Sequence, residues 1–156
     1  MPESLATRFT RHAFNVFPAY FGTGARVTYI ASNWQEVRVE LPLSLRTRNY
    51  VGTIFGGSIY GAVDPFYMIM LIRNLGPDYL VWDKAASVRF LKPGRETLRA
   101  SFHLDEPELE AIRAALAEGQ RSVDRVYRVE LSTADGLVCA EVEKTVYVRL
   151  KDRGEG

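Results

Sequence analysis

Asn49-Tyr50-Val51-Gly52-Thr53-Ile54-Phe55-Gly56-Gly57-Ser58-Ile59-Tyr60-Gly61-Ala62-Val63-Asp64-Pro65 runs from a polar loop through paired glycines into an apolar segment that carries a single acid. Adjacent glycines where a loop enters a helix let another group come close to the backbone. The first amides of a helix have no internal partner, and the helix dipole adds partial positive charge there. Gly57 and Asp64 stand seven residues apart, so a helix puts them within about 20° of each other and about 10 Å apart along its axis. Asp64 is the only charged residue between Arg48 and Arg73. A carboxylate in apolar surroundings is costly unless it is paired or reaches solvent. Pro65 cannot donate to the carbonyl of Gly61 and disfavours helical geometry at Asp64, so the helix should bend or break there. Two readings of Asp64 stay open: a functional acid, or the cap of a second helical segment that starts at Pro65.

The helix that this stretch opens, near Gly56 to Asn74, is apolar nearly all round, with Gly76-Pro77 as its stop. Such a helix must be buried on most sides. Upstream, Val27, Tyr29 and Ala31, then Val37, Val39 and Leu41, alternate with polar residues across the short link Asn33-Trp34-Gln35, which predicts an antiparallel pair. Downstream come a long strand over about 81–91, a strand carrying Leu98, Ala100, Phe102 and Leu104 on one face, and a short helix opened by Pro107 and closed by Gly119. Asp135-Gly136 reads as a two-residue hairpin turn. Its register pairs Thr133 with Val138, Leu131 with Ala140, Val129 with Val142 and Tyr127 with Lys144. The sum is an α+β chain: a curved antiparallel sheet of about six strands wrapped around a central helix, with a partner subunit over the remaining side.

At 156 residues, 47% hydrophobic and 25% charged, the chain fits a single domain over 1–156. Residues 1–22 read as a helical arm and 151–156 as a flexible tail. Leu5, Phe9, Ala13, Val16 and Phe17 fall at helical spacing, and the simplest expectation is that this stripe docks on its own domain, the alternative being a membrane surface. The net charge of +1 and the scattered basic residues point away from a nucleic-acid partner. The longest apolar region is interrupted by glycines, Asp64 and Pro65, so no membrane span is expected. Cys139 is the only cysteine, which rules out an internal disulfide and a thiolate metal site. His12 and His103 belong to no constellation, and no metal or resident cofactor is expected. The opening Met-Pro-Glu-Ser shows no basic-then-apolar pattern, so the expected compartment is the cytoplasm.

The pattern Asn49, Gly52, Gly56, Gly57 and Asp64 resembles the hotdog-fold thioesterases of the phenylacetyl-CoA type. The strand over 83–93, which ends Phe90-Leu91-Lys92-Pro93, is similar to that family's long strand, and more so to a bacterial branch of the superfamily. The resemblance spans roughly residues 25–150. It implies a hotdog fold, a homodimer (pairing of dimers into a tetramer left open), and an acyl-coenzyme A or related thioester as substrate. It also implies that the Gly57 amide polarises the thioester carbonyl while Asp64 of the opposite subunit acts as general base or nucleophile. Phe55 stands where those enzymes carry histidine, which keeps a non-catalytic acyl-binding module as the alternative.

Around this centre, Gly56, Phe55, Ser58 and Asp83 are the expected substrate-binding positions. Ser58 lacks a nearby base, so capping is its expected work, and Asp83 is expected to pair with Lys84 or Arg89. Asn49 either meets a water or the thioester, or holds its own loop. Arg46, Arg48, Lys92 and Arg95 are candidates for the coenzyme's phosphates. Asp64 turned away from any cavity, or neutralised by an internal basic partner, would remove the enzymatic reading and leave only the fold.

Overall fold

The alternating strands and the apolar helix assemble as the pattern requires. A computed structural model describes residues 1–152; part of the expected tail at 151–156 lies outside the described residues. The elements run α1 (Leu5–Val16), α2 (Pro18–Thr23), β1 (Arg26–Ile30), β2 (Glu36–Leu41), α3 (Gly56–Val63), α4 (Phe66–Leu75), β3 (Tyr79–Phe90), β4 (Leu98–His103), α5 (Glu106–Ala117), β5 (Val123–Ser132) and β6 (Val138–Leu150). The strands form one six-stranded sheet in the order β1-β2-β4-β5-β6-β3, and every neighbouring pair is antiparallel. This curved sheet, packed around α3 and α4, is the hotdog fold.

The central helix does break at Asp64-Pro65, between α3 and α4. Its buried stripe nevertheless continues straight through, as Ile59, Ala62, Val63, Phe66, Tyr67, Met70 and Leu71. Steps of three and four residues keep these on one face whether or not the hydrogen-bond ladder is interrupted. Phe66 sits at the middle of that face, wholly buried, its ring 5.5 Å from Tyr20, 5.9 Å from Phe14 and 5.0 Å from Phe102. Tyr60, Met68 and Met70 belong to this core.

Three local features correct or add to the sequence reading. The β5–β6 connection is a three-residue loop: Gly136 donates to the Thr133 carbonyl, Thr133 donates to the Leu137 carbonyl, and Gly136 takes φ +88°. Ser132 therefore pairs with Val138, not Thr133. A bulge at Cys139 then restores the register, so Leu131 does face Ala140 and Val129 does face Val142. The bulged residue's carbonyl is used, accepting from the amides of both Leu91 and Lys92.

A second bulge lies in β3, where Asp83 pairs with Val146 and Ala85 with Thr145, leaving Lys84 extra. Because side chains alternate, that single residue moves Val81 and Asp83 onto the inner face shared with Val146 and Val148.

The third feature is the arm. α1 is capped by Ser4 and Thr7, and it rests on β1 through Thr7, Phe14 and Asn15, whose amide exchanges two hydrogen bonds with Val27. The expected stripe points the other way: Leu5 is 83% exposed and Phe9 76%. Val16 and Phe17 are exposed too. The arm docks through its less apolar face, because Asn15 satisfies the edge of β1 and Phe14 reaches Phe66.

Truncating Phe66 to Ala removes the ring that ties the arm, the helix break and β4 together, and should cost about 3–5 kcal/mol. Urea denaturation checks this; a loss below about 1 kcal/mol would show that the break is not clamped from inside.

Candidate functional site

The loop before α3 is held from within. Asn49 Oδ1 accepts from the amides of Val51 (3.1 Å) and Thr53 (3.0 Å), and its Nδ2 donates to Thr53 Oγ1 (2.8 Å). Of the two readings of Asn49, this is the loop-holding one. Gly52 turns the loop at φ +82°, and the Phe55 amide donates to Thr47. The first helical bond then runs from Ile59 to the Phe55 carbonyl, ahead of which lie the amides of Gly56, Gly57 and Ser58. No side chain caps this end, so the capping expected of Ser58 is not seen; Ser58 is buried in the first turn.

The groups that come close to the paired glycines are two phenyl rings of the same chain. A methyl on Gly56 would fall 2.9 Å from the Phe90 ring, and one on Gly57 would fall 2.4 Å from the Phe55 ring. Phe55 itself is largely exposed, with its ring folded back on Gly57. Beside them opens a cavity of about 410 Å³ walled by Asn49, Ile54, Gly56, Ile59, Phe90 and Lys92, among others. Of the basic candidates for a phosphate, Lys92 lines this cavity. Arg46 is engaged elsewhere, stacked 4.0 Å over the Phe21 ring and donating to the Phe21 carbonyl.

Asp64 lies at the helix break and has an internal partner that sequence reading missed. Lys144 is 1% exposed. Its ammonium donates to Asp64 Oδ1 (2.9 Å), to the Asp64 backbone carbonyl, and to Asp83 Oδ2 (2.8 Å). Three N–H groups meet three acceptors, which is the full capacity of a lysine. Asp83 thus pairs with Lys144, and not with Lys84 or Arg89, which meet Asp124 and Glu141. Two carboxylates share one ammonium, so the ionised cluster keeps one uncompensated negative charge. The Asp64 side chain is 44% exposed, whereas Asp83 is at 25% and its Oδ1 is buried without a hydrogen-bond partner. Burial raises the Asp83 carboxyl above its ordinary value, and Lys144 draws it partly back. Burial, then the neighbouring Asp64 carboxylate, push the Tyr60 hydroxyl upward and keep it protonated.

The signal for Lys144 was present in the sequence. Ala140, Val142, Lys144, Val146 and Val148 form the inward row of β6, and a lysine in such a row needs an acid opposite it. Asp64 also lines a second cavity, of about 280 Å³, between the arm and the helix break. The structure therefore brings Gly56, Asn49 and Phe90 together in one cavity, and Asp64, Asp83 and Lys144 in a cluster outside it. Among the described residues there is no group of three or more His, Cys, Asp or Glu side chains placed to hold a metal. No helix among them is long and apolar enough to cross a membrane.

Comparison with known proteins follows the fold. A family described as Domain of unknown function (DUF4442) matches residues 6–148. No curated protein matches at a significant level. Among solved structures, a protein of unknown function from Pseudomonas aeruginosa, described as a probable thioesterase, is similar with a TM-score of 0.80 at 19% identity, covering 97% of this chain and 99% of that one. A thioesterase from Haemophilus influenzae gives 0.69 at 13% identity, covering 98% and 97%. A mutant thioesterase from Pseudomonas aeruginosa gives 0.67 at 15% identity, covering 97% of each chain. At these identities the likeness is one of fold.

Lys144 carries a testable consequence. A carboxyl raised by folding favours the folded state at low pH, and that contribution is lost as pH rises through the folded value. Lys144→Met removes the group that draws Asp83 down, so the variant should lose about 3–5 kcal/mol near neutral pH. It should regain part of this on acidification toward the ordinary aspartate range, about pH 4. Urea denaturation across pH would contradict the assignment if the variant matched the parent at neutrality, or gained nothing relative to it in acid.

Proposed function

We propose that this chain, which belongs to the DUF4442 family, hydrolyses acyl-coenzyme A thioesters at a site completed by a second copy of itself. The observation that carries the reading is Asp64: a half-exposed carboxylate at a helix break, fixed in direction by a buried lysine. Its lysine partner counts against the simplest form of the reading, in which Asp64 is a lone, unpartnered base. The reading stands in an altered form because Lys144 is shared with Asp83. The cluster retains a negative charge, and the more exposed of its two carboxylates is Asp64.

Within one chain, Gly56 at the helix start and Asp64 at the helix end line different cavities. A second copy supplies the missing half. β3 is a 12-residue sheet edge in which Ala85, Ala86 and Ser87 are exposed, and an edge of that length with small side chains invites pairing with another strand. A two-fold axis there makes the contact self-complementary.

In the proposed reaction, the thioester carbonyl of a substrate lies against the Gly57 amide of one copy. Asp64 of the other takes a proton from water as the water oxygen attacks the carbonyl carbon. The C–S bond breaks, the amide stabilises the oxyanion, and the thiol leaves with the proton. Asn49 takes no part beyond holding the loop that positions Gly56 and Gly57.

One observation favours a second reading, a non-catalytic acyl-thioester binder: the residue before the glycine pair is Phe55, an apolar ring packed on Gly57 that can neither donate a hydrogen bond nor carry a proton. A panel of acyl-coenzyme A substrates separates the two. Asp64→Asn, with an unchanged circular dichroism spectrum, should lower kcat by about 10²-fold or more. Equal turnover in the folded variant removes Asp64 from the chemistry, and tight binding without thiol release at any chain length establishes the binding module.

A further inference from the structure

The cavity beside Asp64 has walls of a particular kind. Phe14 from α1, Phe17 and Tyr20 from the arm's second turn of helix, and Pro65 and Ile69 from the helix break enclose about 280 Å³. Its polar side chains are almost all engaged internally. The Tyr20 hydroxyl donates to the Ala62 carbonyl (3.1 Å), and Thr23 Oγ1 donates to the Tyr20 carbonyl (2.7 Å) while accepting from the Ala25 amide (3.1 Å). The Asp64 carboxylate is the exception, held at one wall by Lys144 and still partly exposed. Gly61 lets the arm close against the helix, since a methyl there would fall 2.7 Å from Thr23 Cγ2. The result is a hydrocarbon-lined slot with one carboxylate at its wall.

We infer that this slot receives the tail of a straight-chain aliphatic acyl group whose thioester lies at Asp64. The inference rests on the proposed hydrolysis for the position of the thioester, and it adds the substrate class. A pocket lined mainly by apolar side chains, with that acid as its one charged group, offers little to a hydroxylated or charged acyl group and accommodates methylenes. A methylene fills about the volume of a water molecule in the liquid, ~30 Å³, so the slot holds a chain of about nine carbons. The exposed Phe17 and Ala19 stand at its outer side.

The test uses S-alkyl-coenzyme A thioethers, which have no carbonyl and cannot be hydrolysed, with calorimetric titration of the full chain. Each methylene that reaches apolar wall should raise affinity about fourfold. The rise should run to about nine carbons and then flatten. Ala19→Trp, which fills the slot, should move the plateau to shorter chains. Ile69→Ala, which enlarges it, should move the plateau two or three methylenes longer. Leu45→Trp, on an exposed loop outside the slot, should leave the plateau where it is. Affinity independent of chain length, or the same plateau in all three variants, overturns the slot. That failure is separate from failure of the hydrolysis reading, which is decided by turnover of Asp64→Asn and not by thioether binding.

Discussion

A buried ammonium group is the constraint on which the rest of this structure depends. Lys144 sits in the inward row of β6 among Ala140, Val142, Val146 and Val148, where an unpaired charge would not be tolerated. Its compensation comes from two directions. Asp64 approaches from the break in the central helix, and Asp83 approaches from β3 because the bulge at Lys84 turns it inward. Each irregularity would be a defect alone. Together they place three acceptors around one cation, which makes the helix break, the bulge and the lysine a single feature.

That feature also explains how the molecule separates its chemistry from its core. Phe66, next to Pro65, locks the break from inside by ring contacts with Phe14, Tyr20 and Phe102. The carboxylate of Asp64 is then left at the boundary between the packed interior and the slot beneath the arm. At the other end of α3, the paired glycines accept the rings of Phe55 and Phe90, which a side chain at either position would displace. Two cavities therefore lie at opposite ends of a two-turn helix.

Much of this was legible in the residues. Alternation and turn chemistry placed the strands, the core pairs Leu131–Ala140 and Val129–Val142 came out right, and Pro65 foretold the break. What stayed hidden has identifiable causes. The turn at Asp135-Gly136 and the bulge at Cys139 each shift the register by one and cancel, so pattern matching in the core could detect neither. The bulge at Lys84 is silent because Lys-Ala-Ala-Ser carries no apolar alternation to be broken. The register pairs Lys144 with Tyr127, and the alternation of β6 then sets its charge among Val142, Val146 and Val148, where only an acid from another element can balance it. The arm misled in the opposite way: its most apolar stripe is left largely exposed, because Asn15 and Phe14 make better partners for β1 and Phe66.

The most direct measurement is heteronuclear NMR of the Lys144 ammonium group during titration with a straight-chain S-alkyl-coenzyme A thioether. The account predicts a slowly exchanging Nζ–H signal in the free protein, shifted at saturation because the ligand's thioether end lies at Asp64. A signal that exchanges like that of a surface lysine, or one unmoved at saturation, would contradict it.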